Sequence, residues 1–239
     1  GLERGAMEIS ERMLREVFLP PWVAGIKKSG ALGVMATYPA IDGIPAHVSE
    51  EILTGILREE LGFEGLVLGE GGGIGTPVYE RIVANQKEAG ALVLKSGLDV
   101  GISYEDCYMI HMIENVKEGK VNMDMIDRAV RRILRQKFRL GLFEDPYVDP
   151  NHAVSVSNTK ENQELALQVA REGIVLLKNE NNTLPLRKDI RSIAVIGPNA
   201  DDGLNQLGDY TARVVLQDIS TVLDGIKEKV QEKTKITYV

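Results

Sequence analysis

The stretch LVLGEGGGIG, residues 66–75, joins a short apolar run to a loop that holds five glycines and one acid, Glu70. Similar apolar runs lie on either side of it, ALGVMA at 31–36 and LDVGI at 98–102, and a glycine precedes each of the three runs. Short apolar runs bounded by turn residues are typical of buried strands. We therefore predict three strands, which begin at residues 31, 66 and 98.

Helical patterns separate the predicted strands. The segment SEEILTGILREEL, residues 49–61, places its apolar side chains on one helical face, and a second helix is predicted at roughly 78–95. The strand starts are 35 and 32 residues apart, close to the about 31 residues per unit of an eight-stranded α/β barrel. Alternating strands and helices imply parallel pairing. The predicted fold class is α/β, and the spacing favours a (β/α)8 barrel.

The clearest helix is predicted at 122–140, with Gly141 as its stop. Its predicted apolar face contains Ile126, Ala129, Val130, Ile133, Leu134 and Phe138. Its other face carries Arg128, Arg131, Arg132, Arg135, Lys137 and Arg139. Such a basic stripe can bind an anion or a nucleic acid. In a chain of net charge −7 we favour a solvated face that pairs with neighbouring acids.

Residues 144–159 are rich in proline, asparagine and aspartate and lack a helical period, which is typical of a linker. They separate a first domain at 1–143 from a second α/β domain that starts within 160–239. In the second domain we predict helices at 160–177 and 219–230 and strands at 192–196 and 235–239.

The composition, 44% hydrophobic and 26% charged, is that of a globular protein. The chain has 35 acidic and 28 basic residues, and this excess of negative charge opposes binding to the phosphates of a nucleic acid. No run of 18 apolar residues predicts a membrane span. Cys107, the single cysteine, excludes an intramolecular disulfide and any zinc site with two thiolates. The three histidines lack metal-ligand spacing, so we predict no metal and interpret them as surface or packing residues.

Glu70 is the first candidate for chemistry, because it follows a predicted strand at the end where α/β proteins bind ligands. A phosphate cradle is disfavoured, since Gly-x-Gly-x-x-Gly fails at Ile74. By local pattern alone, a catalytic carboxylate and a flexible turn with a solvated glutamate stay equally open. Tyr38, one βα unit earlier, can donate a hydrogen bond to a carboxylate or a sugar, although simple packing is its commoner role. We interpret Asp99 as structural.

Longer segments have a family resemblance. They are REVFLPPW (15–22), VMATY (34–38), DGIP (42–45), LTGILREELGFEG (53–65), AVRRIL (129–134), GLFEDPY (141–147), IVLLKN (174–179), LPL (184–186) and AVIGPNA (194–200). Together and in this order they resemble glycoside hydrolase family 3, the β-glucosidase-like enzymes, over nearly the whole chain.

The resemblance implies the C-terminal part of a TIM-like (β/α)8 barrel, with about three of its eight strands, followed by the start of an α/β sandwich domain. It implies a central piece of a longer enzyme, whose missing segments complete both domains. The activity implied is that of a retaining, exo-acting β-glycosidase that hydrolyses a glycoside or oligosaccharide with two carboxyl groups. It implies no cofactor, and it places the acid/base outside this chain.

Glu70 occupies the position of the family's nucleophile, an aspartate in a Val-hydrophobic-Ser-Asp-Trp context, and Gly69 and Gly71 also depart from that pattern. The extra methylene pushes the carboxylate inward unless the loop recedes, which its glycines permit. Met35 and Tyr38 match positions that line the innermost sugar subsite. The resemblance makes Tyr38 a hydrogen-bond partner of the nucleophile. Gly71 is a candidate substrate contact because the glycines beside Glu70 let a substrate approach the backbone.

Two alternatives stay open at this point. The altered triplet around Glu70 also fits a sugar-binding or scaffold member of the same fold that does not hydrolyse its ligand. The second alternative is an enzyme of the same fold that transfers the sugar to phosphate instead of water. The sequence leaves the sugar, the linkage, the oligomeric state and the compartment open.

Overall fold

The computed structural model describes residues 5–103, 106–208, 211, 219–230 and 232–239. It divides the chain into two units, Gly1–Asp149 and Pro150–Val239. The point of division lies inside the segment that the sequence predicts as a linker.

A small parallel sheet stands at the centre of the first unit. The strands described in this unit are β1 (Gly33–Ala36), β2 (Ala40–Ile41), β3 (Ile44–Pro45) and β4 (Leu66–Gly69). β1 and β4 pair in parallel, with Gly33 opposite Leu66 and Ala36 opposite Gly69. β2 and β3 form a short antiparallel hairpin. The first two predicted strands and their parallel pairing are confirmed.

The third predicted strand, 98–102, is reduced to a parallel bridge between Val100 and Leu68. The backbone N–H of Gly69 donates to the carbonyl of Val100 at 2.8 Å, so this segment does lie beside β4. Pairing ends at Gly101, which has no side chain to pack in a strand. The predicted place of the segment is confirmed, and its predicted length is wrong.

Helices connect and flank these strands. They are α1 (Glu11–Met13), α2 (Leu19–Lys27), α3 (Glu51–Glu60), α4 (Thr76–Tyr79), α5 (Gln86–Ser96), α6 (Asp106–Met109), α7 (His111–Lys117) and α8 (Met123–Arg139). Helix α3 has the wider hydrogen-bond spacing of a π-helix. A wider helical turn, Leu14–Phe18, joins α1 to α2.

The helix predicted at 78–95 is wrong as a single element, because the structure has α4 and α5 there. Asn85 begins α5 as an N-cap: its side chain accepts a hydrogen bond from the Glu88 N–H at 3.0 Å. Arg81 has a φ of 59°, outside the helical range. The cap and this backbone conformation end one helix and start another.

The main core lies between the parallel sheet and helices α3 and α5. Its buried members include Val34, Ala36, Leu53, Leu57, Val67, Val93 and Leu98. Each fully buried large aliphatic side chain contributes about 1.5–3 kcal/mol. This packing fixes the carboxyl ends of β1 and β4, and the candidate site residues follow directly after those ends.

The predicted bounds of helix α8 are confirmed. The Asn122 side chain caps its start by accepting a hydrogen bond from the Met125 N–H at 3.0 Å. Its buried residues are Ala129 and Gln136. The predicted apolar face is partly wrong, because three of its members are exposed by 40–61%: Val130, Leu134 and Phe138.

The basic stripe of α8 also divides in two. Arg135 and Arg139 pair with Glu64 on the surface, as a solvated face predicts. Arg128 and Arg132 instead turn inward, and Arg128 donates to the carbonyl of Leu94 at 3.2 Å. The prediction of a wholly solvated stripe is therefore wrong for these two arginines.

A buried carboxylate explains the inward arginines. Asp99 has a side chain only 2% exposed, and it accepts hydrogen bonds at 2.8 Å from Arg58, from Arg132 and from the backbone N–H of Val67. Burial lowers the pKa of Arg58 to about 10, which leaves it charged at neutral pH. The structural interpretation of Asp99 is confirmed, since it joins α3, β4 and α8.

The second unit contains α9 (Pro150–Val156), α10 (Lys160–Gly173), β5 (Ser192–Val195), α11 (Val222–Lys229) and β6 (Lys235–Tyr238). β5 and β6 pair in parallel. The expectation of no helix in 144–159 is wrong: Pro150 suits a first helical position, and the α9 residues are all exposed. No helix among the described residues has the length and apolar content needed to cross a membrane.

Candidate active site

The candidate catalytic carboxylate, Glu70, directly follows β4. Because Ala36 lies opposite Gly69 in the parallel register, the next residues of the two strands, Thr37 and Glu70, lie side by side. The Thr37 hydroxyl donates to Glu70 Oε2 at 3.3 Å, and the Glu70 N–H donates to the carbonyl of Ala36 at 3.2 Å. Glu70 is half-buried. The carboxylate is thus held at the carboxyl end of the sheet.

Residues 70–75, the Glu70 loop, form a tight turn. The Gly73 N–H donates to the carbonyl of Glu70 at 2.7 Å. Gly72 has a φ of 71°, a left-handed conformation that favours glycine, and its N–H donates to Ser103 Oγ at 2.8 Å. A 3₁₀ turn, Gly73–Gly75, then leads into α4. These bonds fix the backbone immediately after Glu70.

Tyr38 contacts the Glu70 loop from the buried side. It is 5% exposed, and its hydroxyl donates to the backbone carbonyl of Gly71. Its ring stacks with the His47 imidazole, with centroids 6.1 Å apart and planes 30° apart. The resemblance implies a bond from Tyr38 to the nucleophile. The structure gives Tyr38 a bond to the residue after Glu70, and it gives the Glu70 carboxylate a bond from Thr37.

Thr37 is a site residue that the sequence analysis did not single out. It follows β1 directly, so strand order and parallel register were the signal that could have found it. Tyr38 was singled out by its spacing from Glu70, which cannot distinguish a residue from its neighbour in the chain.

His47 lies beneath the Glu70 loop and is completely buried. It belongs to a 3₁₀ turn, Ala46–Val48, that follows the β2–β3 hairpin. Burial lowers the pKa of His47 to about 4, so its imidazole is neutral at neutral pH. The interpretation of His47 as a packing residue agrees with this burial. Its place under the loop is set by the fold, and no pattern in the sequence indicates it.

Met35 lies on the opposite face of β1 from the core. Side-chain burial alternates along this strand: Val34 and Ala36 are 9% and 4% exposed, whereas Met35 is 42% exposed. Met35 and Thr37 line a mainly apolar cavity of about 190 Å³, together with Trp22. Thr37 also contacts Glu70, although Glu70 itself is not among the residues that line this cavity.

The groups at this edge define its chemistry. Within the described ranges, no three histidine, cysteine, aspartate or glutamate side chains could together hold a metal ion. The site offers a carboxylate with a hydroxyl donor beside it, a backbone carbonyl fixed by a tyrosine, and a neutral imidazole behind. A carboxylate so placed can act as a nucleophile or as a general base.

Two family models match the chain. The one described as "Glycosyl hydrolase family 3 N terminal domain" matches residues 1–136, which is more than half of the chain. The one described as "Glycosyl hydrolase family 3 C-terminal domain" matches residues 174–238.

Curated relatives cover the chain from end to end. A β-xylosidase of Formosa agariphila is 36% identical in an alignment of 250 positions that covers 100% of this chain and 35% of that protein. The periplasmic β-glucosidase of Salmonella typhimurium is 34% identical in an alignment of 243 positions that covers 100% of this chain and 31% of that protein. The chain therefore spans about a third of the length of these relatives.

Solved structures agree with the relatives. The β-glucosidase of Listeria innocua superposes with a TM-score of 0.86 at 31% identity, over 100% of this chain and 33% of that one. The same enzyme in complex with glucose gives 0.85 at 30% identity. With two family models in the expected order and relatives over its whole length, the resemblance is confirmed, and this chain belongs to glycosyl hydrolase family 3.

Proposed function

We propose that the protein containing this chain is a retaining, exo-acting β-glycosidase and that Glu70 is its nucleophile. The observation that supports this is the position of Glu70, which follows a parallel strand and whose carboxylate is held by the Thr37 hydroxyl. Ligands of α/β proteins bind at this end of the strands. The chain spans about a third of its relatives' length, so the activity is proposed for the whole protein.

The reaction proceeds in two displacements. A Glu70 oxygen attacks the anomeric carbon of the terminal sugar, and the glycosidic C–O bond breaks. The leaving oxygen keeps the electron pair and takes a proton from a general acid that lies outside these 239 residues. Water then attacks the anomeric carbon and gives its proton to the same group, now a base. The bond to Glu70 breaks, and the sugar leaves with its original configuration.

The other predicted residues have supporting roles in this proposal. Tyr38 holds the backbone of Gly71, which keeps the turn beside the sugar in one conformation. Met35 offers apolar contact area next to the carboxylate, and Gly71 lets a sugar approach the backbone because it has no side chain. Residues 1–143 form the C-terminal part of a (β/α)8 barrel, 144–159 a linker, and 160–239 the start of an α/β sandwich.

The names of the relatives, β-glucosidases and β-xylosidases, support the substrate class in this proposal. Glucosides and xylosides differ by one hydroxymethyl group on the sugar ring. We expect hydrolysis of an aryl β-glucoside, an aryl β-xyloside or both, with release of one sugar from the non-reducing end.

Covalent trapping tests the nucleophile. The protein is incubated with 2-deoxy-2-fluoro-β-glucosyl and -xylosyl fluorides, and the labelled peptide is identified by mass spectrometry. We expect the label on Glu70, and we expect Glu70→Gln to lower kcat by at least about a thousandfold, because it removes the attacking group. Glu59→Gln, at an exposed position of α3, makes the same change away from the site and keeps kcat.

Each other outcome rejects part of this proposal or supports an alternative to it. A label on another carboxylate rejects Glu70 as the nucleophile. Calorimetric binding of glucose without hydrolysis or labelling supports the sugar-binding member of the fold. Release of a sugar phosphate that depends on added phosphate supports the phosphorolytic alternative.

A further inference from the structure

The Glu70 loop packs on the His47 imidazole. A Cβ atom on Gly73 would overlap the Nε2 side of the ring, and one on Gly69 would lie 3.7 Å from His47 Cδ2. Gly73 itself is buried and has an ordinary negative φ. Backbone conformation therefore does not demand glycine at position 73, whereas the contact with His47 does.

The imidazole is closed off from solvent, and its backbone is anchored. His47 is 0% exposed, and its ring stacks with Tyr38. The 3₁₀ turn that holds it is fixed at both ends. The Ala46 N–H donates to the carbonyl of Pro39 at 3.2 Å, and the Ser96 hydroxyl donates to the carbonyl of Val48 at 3.0 Å. A displacement at the contact must be absorbed by the loop, since the turn is anchored to a helix of the core.

The loop transmits its position to the carboxylate. The 2.7 Å bond from the Gly73 N–H to the Glu70 carbonyl joins the residue above His47 to Glu70. On the other side, Glu70 depends on a 3.3 Å bond from Thr37 and a 3.2 Å bond to the carbonyl of Ala36, which are longer. Moving Gly73 outward would therefore move Glu70 before it moved the strand.

We propose that His47 is a positioning residue for Glu70, and that its imidazole and Gly73 form a coupled pair that sets how far the Glu70 carboxylate projects from the sheet. This inference rests on the proposed function of Glu70. His47 acts by its shape and volume, as a neutral ring, and does not touch the substrate.

A mutant cycle at the pair tests the inference. The variants are Gly73→Ala, His47→Ala and the double variant, each assayed at a fixed interval below its own unfolding midpoint. The readout is the first-order rate constant of covalent trapping by the 2-fluoro-glycosyl fluoride, separated from the inhibitor's dissociation constant. An error of about 1 Å in the position of a reacting group can cost about a hundredfold in rate.

We expect Gly73→Ala to lower the trapping rate constant by about thirtyfold or more, with the dissociation constant changed less than about threefold. The double variant should recover at least about tenfold of that loss, because truncating His47 makes room for the new methyl group. His47→Ala alone should slow trapping, because the loop loses its support. Gly25→Ala is the matched control: its Cβ would meet nothing within 4 Å, and trapping should stay unchanged.

The result that overturns the inference is trapping at the wild-type rate in His47→Ala, or a double variant no faster than Gly73→Ala. If Gly73→Ala does not fold, His47→Ala alone decides. If the wild-type protein neither hydrolyses nor traps, the proposed function fails instead. The unfolding free energies of the same four proteins then test the pair separately: additive effects reject the coupling.

Discussion

Glu70 and Asp99 are carboxylates on neighbouring segments of one parallel sheet, and their surroundings are opposite. Asp99 is nearly inaccessible and is bonded to two arginines and a backbone N–H. Glu70 is half-buried and held by a neutral hydroxyl and by its own backbone. Two cations neutralise Asp99, so it serves stability. In the described part of the chain no basic side chain forms an ion pair with Glu70, and its side-chain donor is the neutral Thr37 hydroxyl, which suits the proposed role as a nucleophile.

The largest expected effect is a loss of unfolding free energy when the charge of Asp99 is removed. Asp99→Asn leaves Arg58 and Arg132 without a counter-charge inside the protein, which should cost about 3–5 kcal/mol of unfolding free energy. Urea unfolding measures it. Asp127→Asn, on the exposed surface of α8, should change stability by less than about 0.5 kcal/mol. An Asp99→Asn protein as stable as wild type would contradict the assignment.

The next effect is the pH dependence of stability that arises from His47, the buried group beneath the Glu70 loop. The pKa of His47 is about 4 in the folded protein and about 6.5 when unfolded, so the unfolded chain binds more protons between these values. Stability is complete above about pH 6.5 and falls as pH drops towards 4. The loss from this residue is on the order of 3 kcal/mol.

The pH dependence of His47→Gln isolates that loss. Glutamine does not titrate, so the variant should lose less stability than wild type between pH 6.5 and 4, whatever its stability at pH 7. Thermal or urea unfolding at several pH values measures the two slopes. Equal slopes would show that the His47 imidazole takes up its proton without opposing the fold.

The smallest expected effect is a decrease in kcat when the hydroxyl that contacts Glu70 is removed. Thr37→Val keeps the side-chain shape and removes the hydroxyl bond to the carboxylate, and we expect kcat to fall roughly tenfold with unfolding free energy changed by less than about 1 kcal/mol. Thr54→Val removes a hydroxyl bond to the Ser96 carbonyl inside the core, so it should lower stability and leave kcat unchanged. The opposite pattern would place Thr37 outside the site.

Several features could be predicted because they depend on local pattern. Glycine-bounded apolar runs predicted β1 and β4, and the amphipathic period predicted the bounds of α8. The faces of α8 were predicted less well. Its apolar period suggests Val130 and Leu134 as core, but the buried charge of Asp99 draws Arg132 inward. A pattern of hydrophobicity cannot register a buried carboxylate that comes from another segment.

The sequence by itself determined the α/β order, the family and the position of Glu70 after a strand, because these follow from residue types and their spacing. Only the tertiary structure decided what surrounds Glu70. Thr37 became its hydrogen-bond donor through the parallel register, and His47 came under Gly73 through the hairpin between β1 and α3. Contacts between residues far apart in the chain depend on how the segments pack, and neither period nor composition encodes that packing.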